Sequence, residues 1–148
     1  MTTRFKKIVC PIDFDGNSLE ALAMAADLAR QHDATVYVVH ALGAVDPLVV
    51  SAQIAFERAR QEGRRDLENI AKKHLEGVKY ETMLRVGNAA NEIVAVVSET
   101  GADLVVMATH GRTGMSHMLM GSVAEKVVRR APCPVLTVRT KSTAQMAA

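Results

Sequence analysis

Five short runs rich in β-branched and aliphatic residues, separated by stretches with helical spacing, constrain the fold of this chain more tightly than any other feature. They cover residues 6–12, 35–41, 79–86, 104–109 and 135–139. A strand that pairs in parallel with its neighbour needs a crossover to return the chain to the same end of the sheet, and a helix is the usual crossover. The alternation therefore predicts an α/β fold. It has three layers, a doubly wound five-stranded parallel sheet between helices, with short right-handed βαβ connections. Side-chain volumes agree: with three Phe, two Tyr and no Trp in a chain that is 49% hydrophobic, the layers must pack through Val, Ile, Leu and Ala.

Helix ends can be read from capping residues. Asn17 stands three residues before Glu20, a capping-box spacing, and predicts a first helix with Leu19, Leu22, Ala26 and Ala29 on its inner face. Residues 47–76 read as a longer helical region that buries Leu67, Ile70, Ala71 and Leu75 and ends at Gly77. Its basic residues, Arg58 to Lys73, are threaded with Glu57, Glu62, Asp66 and Glu68; Glu68 lies four before Lys72, which describes a salt-bridged, solvated face. Asn88 caps a third helix with Ile93, Val94 and Val97 inward and Gly101 at its end, and Ser122 with Glu125 caps a fourth that buries Val123, Val127 and Val128. At 148 residues one domain is expected, over 1–141, with the small polar segment 142–148 as a flexible tail.

Several function classes drop out. The 18 basic and 16 acidic side chains are interspersed, so no continuous positive field exists for a nucleic-acid backbone. The apolar run 8–12 behind Arg4, Lys6 and Lys7 is too short for a signal segment and contains Pro11. No run approaches the roughly 20 apolar residues that span a bilayer, and a cytoplasmic, membrane-free protein is expected. Cys10 and Cys133 have neither metal-ligand nor CxxC spacing and are expected to be inert thiols.

In open α/β sheets, ligands bind beyond the carboxyl ends of the strands where the strand order reverses, here between strands one and four. Asp13, His40 and His110 leave three strand ends and should gather on that rim. Two roles stand open for Asp13, a turn carboxylate near Asn17 or a ligand to a bound group and its Mg²⁺; Asp15 is expected to be structural. The histidines lack a third close ligand and fit strand-end rings that satisfy loop carbonyls better than a zinc site. After strand four comes a glycine-containing loop from His110 to Ser122. Gly111 and Gly114 permit close backbone approach, and Gly121 leaves the first-turn amides of Ser122, Val123 and Ala124 open to an anion. The alternative is that the glycines only form turns and Ser122 only caps a helix. No lysine precedes Ser122, so this is not a P-loop and fast phosphoryl transfer is not indicated. Met115, Met118 and Met120 suit core or dimer packing.

Three segments, KKIVCPIDF, ADLVVMATHGRTG and GSVAEKVVRRAPCPVLTV, give the chain a resemblance over nearly its whole length to the universal stress protein family. The resemblance implies an adenine nucleotide alpha hydrolase-like sheet with strand order 3-2-1-4-5 and an ATP-binding regulatory role in stress response. The family's ATP-binding branch carries three spaced glycines, the last followed by Ser or Thr. Gly111 and Gly121-Ser122 match, and Ala108 stands where the first glycine falls. Carried onto this sequence, the cofactor-binding set is Pro11, Ile12 and Asp13 after strand one and Ala41 after strand two. Met107, Ala108, His110, Gly111, Arg112 and Gly114 follow around strand four, with Gly121, Ser122 and Val123 opening the last helix. In this scheme Asp13 contacts the nucleoside or its Mg²⁺, the Ala41 main chain meets adenine, and Arg112 adds a charge-assisted phosphate contact. AMP and ADP are further expected ligands, and no catalytic residue is assigned, with at most slow incidental ATP hydrolysis. A homodimer through the last strand, from Val135 to Arg139, is also implied, since an unpaired apolar edge is a liability. Ala108 motivates the alternative, a dimeric interaction protein of the same fold that binds no nucleotide.

Overall fold

The computed structural model describes residues 3–110 and 120–139. Its elements run β1 (Lys7–Pro11), α1 (Gly16–His32), β2 (Thr35–Leu42), α2 (Val50–His74), β3 (Lys79–Val86), α3 (Ala89–Thr100), β4 (Leu104–Ala108), α4 (Ser122–Arg130) and β5 (Val135–Val138). The strands form one sheet in the order β3-β2-β1-β4-β5, and every neighbouring pair is parallel.

Two cores sit on the two faces of the sheet. Ile8, Cys10, Val36, Val38, Leu104 and Val106 point to one face, where Leu22, Ala25, Ala26, Leu67 and Ala71 of α1 and α2 cover them. Val9, Val39, Val105 and Met107 point to the other, under Ile93, Val96, Val97, Ala124 and Val127 of α3 and α4. Alternate residues of β1 and β4 are thus buried in opposite directions, which is why these strands read as unbroken apolar runs.

The helix caps differ from the sequence reading in two places. Asp15, not Asn17, caps α1: its carboxylate accepts the Ser18 amide at 2.9 Å. The Asp15-to-Ser18 spacing serves the exposed first-turn amides two residues earlier than the Asn17-Glu20 pair. Leu19 lies outside the core, and Ala21, Leu22, Ala25, Ala26 and Ala29 form the buried stripe. Gly121, not Ser122, is the N-cap of α4, and no side chain caps that helix. Asn88 and Gly101 do cap α3 as read: the Asn88 side chain accepts the Asn91 amide at 3.1 Å, and Gly101 takes φ 70°.

Burial narrows toward the ends of α2 and α4. Only Gly63, Leu67 and Ala71 of α2 are buried, all beyond its middle, and Leu48, Val50 and Ile54 stand in solvent. Gly63 belongs at a close crossing, where a Cβ would lie 3.4 Å from the Leu84 side chain. Glu68 does not pair with Lys72; it accepts the Tyr80 hydroxyl at 2.9 Å and the Thr82 hydroxyl at 3.3 Å, tying α2 to β3. On α4, Ala124 and Val127 are buried, whereas Val123 and Val128, read as core, are 37% and 43% exposed. The reason is position: α4 overlies the margin of the sheet, and a margin covers a narrower stripe of a helix than the centre does. On the opposite margin, Arg85 of β3 grips Glu99 through two bonds of 2.7 and 2.8 Å and Glu92 through one of 3.1 Å, fastening α3.

Candidate functional site

Strand order alone locates the crevice. β1 lies between β2 and β4, its connection departs toward α1 on one face, and the connection after β4 reaches α4 on the other. In open α/β sheets a reversal of this kind is where ligands bind, beyond the carboxyl ends of the two strands.

One wall is the turn Ile12 to Asp15. The Ile12 amide continues the ladder to the Val39 carbonyl at 2.8 Å, and its side chain is buried on the α1/α2 face. The turn then folds on itself. The Asp13 amide donates to Ser18 Oγ at 3.2 Å, the Ser18 hydroxyl donates to the Asp15 carbonyl at 3.1 Å, and the Asp15 amide donates to Asp13 Oδ1 at 3.3 Å. Both roles considered for Asp15 and Asp13 as turn carboxylates are therefore visible, and they leave Asp13 half-buried at the crevice. Burial raises the Asp15 carboxyl above its ordinary value, and the neighbouring Asp13 carboxylate pushes the same way against the Ser18 bonds. Phe14 has φ 68°, left-handed backbone that costs a residue with a Cβ about 1–2 kcal/mol.

The floor includes the end of β2. Pairing with β1 stops at Pro11 opposite Val39, while β2 runs on to Leu42 beside β3 alone. In a strand the N–H and C=O of one residue point to the same side. The Val39 carbonyl points to β1, so Ala41, two residues on, aims its main-chain groups past the end of β1 into the crevice. His40 turns its ring back: Nδ1 lies 2.8 Å from the Ile12 carbonyl, and the ring packs on Phe14 with centroids 4.5 Å apart.

The other wall is β4 and the start of α4. Met107 is buried in the α3/α4 core, so only its main chain faces a ligand, and Ala108 pairs with Val138 at the strand end. The Thr109 amide holds the Val138 carbonyl at 3.0 Å, and the Thr109 carbonyl accepts the Gly121 amide at 2.6 Å. That bond sets the N-terminus of α4 beside the end of β4. His110 Nδ1 lies 3.2 Å from Thr109 Oγ1. Gly111, Arg112 and Gly114, like Met115 and Met118, lie outside the described residues. Ser122 and Val123 occupy the exposed first turn of α4. First-turn amides have no intrahelical acceptor, and with no side-chain cap at Gly121 nothing on the helix competes for them.

The structure thus places Asp13, Ala41 and Ala108 at the carboxyl ends of β1, β2 and β4 and Gly121, Ser122 and Val123 at the start of α4, with Ile12, Met107 and His40 packed behind them. Sequence reasoning passed over three contributors. Phe14 carried no signal, because its left-handed backbone depends on tertiary packing. Ser18 could have been found from its spacing to Asp15, and Thr109 acts through its carbonyl, which its identity does not reveal. Among the described residues no three His, Cys, Asp or Glu side chains gather as a metal centre.

A five-stranded parallel sheet in the order β3-β2-β1-β4-β5, covered by helices on both faces, is the adenine nucleotide alpha hydrolase-like class of α/β domain. The sequence profile described as the universal stress protein family matches residues 4–139, and the chain belongs to that family. Universal stress protein MJ0531 of Methanocaldococcus jannaschii is 41% identical over 141 residues, 91% of this chain and 82% of the relative. Among solved structures, MJ0577 of the same organism matches with a TM-score of 0.82 at 29% identity, over 95% of this chain and 100% of the other. A universal stress protein of Archaeoglobus fulgidus, solved in complex with dAMP, matches with a TM-score of 0.63 at 25% identity, over 91% and 98%.

Proposed function

We propose that this protein is a regulatory module that binds ATP, with AMP and ADP as competitors, in the crevice between Asp13 and Gly121–Val123. The observation that carries the reading is the start of α4. Three first-turn amides open onto the switch point behind a residue without a side chain, a helix end suited to a phosphate chain. The dAMP complex of the Archaeoglobus fulgidus relative supports an adenine nucleotide as the ligand. The Ala41 main chain, aimed past β1, supplies the bonds to adenine. Mg²⁺ would arrive with the phosphates; it needs only one or two carboxylates besides them, and Asp13 meets that demand.

Regulation rather than turnover fits the residues described. Any hydrolysis on this reading is slow and incidental. The module would act as a cytoplasmic homodimer joined through β5. Among the described residues that strand is an edge of the sheet, and Leu136 stands 38% exposed on it, an apolar edge that a second copy would cover. Among the described residues no helix is long and apolar enough to cross a membrane.

Chromatography of the nucleotide released by denaturing freshly purified protein tests the reading, together with calorimetric titration by Mg-ATP. Co-purified adenine nucleotide or a saturable titration is expected. A protein that emerges empty and shows no heat and no melting shift with Mg-ATP is instead the dimeric interaction protein that the methyl of Ala108 would favour.

A further inference from the structure

The His40 ring does a job that neither its strand nor the core requires. It lies at the end of β2 beyond the last residue paired with β1, and it meets the one carbonyl at which the β1 ladder stops, that of Ile12, at 2.8 Å. A carbonyl only accepts, so Nδ1 must carry the proton, whichever charge state the ring has. The ring also packs on Phe14, 4.5 Å between centroids, and Phe14 is one of two residues with a side chain and positive φ among those described. The other, Asp33, ends α1, where left-handed backbone is common. Phe14 has no such local excuse. It sits between Asp13 and Asp15, and unfavourable backbone persists only where surrounding contacts over-determine it.

We infer that His40 is a positioning residue for the Asp13 turn, clamping the Ile12 carbonyl through Nδ1 and bracing the left-handed Phe14 so that the Asp13 carboxylate faces the nucleotide's metal or ribose. The inference rests on the nucleotide reading above. Its mechanical half, the clamp on the turn, stands on the free protein and is read separately.

The test compares His40→Asn with His40→Gln. The Asn amide nitrogen falls near the place of Nδ1 and keeps the donor; the longer Gln carries its amide near the place of Nε2 and misses the carbonyl. Both are polar, so neither empties a core position. In calorimetric titration with Mg-ATP, His40→Asn is expected within about threefold of the parent and His40→Gln about tenfold weaker. Asp13→Ala combined with His40→Gln is expected to bind no worse than Asp13→Ala alone, because the clamp acts only through Asp13. Equal affinities for the Asn and Gln variants, or losses that multiply in the double variant, would overturn the inference. The free protein supplies the second readout: ¹⁵N spectra should place the proton on Nδ1 of His40, and the Asp13 and Asp15 amides should exchange faster in His40→Gln but not in His40→Asn. A proton on Nε2 alone, or exchange unchanged by Gln, rejects the clamp. If the parent binds no nucleotide while these signatures are present, the nucleotide reading fails and the clamp on the turn stands.

Discussion

Gly121→Val separates the phosphate site from the fold, because the backbone there is indifferent to the change. Gly121 has φ −72° and ψ 166°, extended geometry that a β-branched residue adopts readily. Its amide, which valine retains, holds the Thr109 carbonyl at 2.6 Å, and there is no side-chain cap to lose. Replacing an N-cap glycine by an aliphatic residue costs about 1 kcal/mol. For a chain of 148 residues that is about 3 °C in melting temperature. Binding should respond far more. The added isopropyl group stands before the amides of Ser122, Val123 and Ala124, where each hydrogen bond to a charged phosphate contributes about 1.5–3 kcal/mol. Losing two of them weakens Mg-ATP by about 3 kcal/mol or more, roughly a hundredfold or beyond in Kd. Calorimetry and thermal melting on the same preparation measure both quantities. A variant that melts near the parent and binds within about threefold of it would refute the placement of the phosphates at α4.

Three further outcomes follow from the charges and thiols. Asp15→Asn keeps an acceptor for the Ser18 amide and removes the repulsion from Asp13, so it should match or exceed the parent's stability at pH 7, while Asp15→Ala loses about 1 kcal/mol. Because folding raises the Asp15 carboxyl, the parent should gain on the Asn variant as the pH falls through that raised value; urea unfolding at several pH values would show the opposite trend if the cause is misassigned. Arg85 holds the Glu99 carboxyl below its ordinary value of 4.5, so the stability this pair contributes is present above that pH and fades as pH falls below it. Arg85→Met should return the Glu99 titration, followed by NMR, toward the ordinary value, and an unmoved titration would contradict the contact. Burial pushes the Cys10 thiol up to about 12, whereas Cys133 is half-buried, so a thiol reagent at pH 8 should find Cys133 slowly in the native protein and Cys10 only after unfolding. Two thiols reacting together in the native state would contradict that burial.

The sequence by itself determined the layers and where to look. Parallel strands buried on both faces must be continuous apolar runs, and 79–86 was legible to the residue, with the first strand off by one residue at each end and the other three by one residue at one end. The reversal between β1 and β4 was legible too, because the strand order follows from the alternation of short strands and helices. Tertiary structure decided whatever depends on partners distant in the chain. Asp15 rather than Asn17 caps α1 directly after the left-handed Phe14, whose ring packs on His40, 26 positions away in sequence. Glu68 abandoned Lys72 for Tyr80 and Thr82, since an exposed ion pair one turn apart contributes little beside hydrogen bonds that fasten a helix to a strand. Val123 and Val128 kept the spacing of core residues but emerged exposed, because helical periodicity records which residues share a face and not how much sheet lies beneath it.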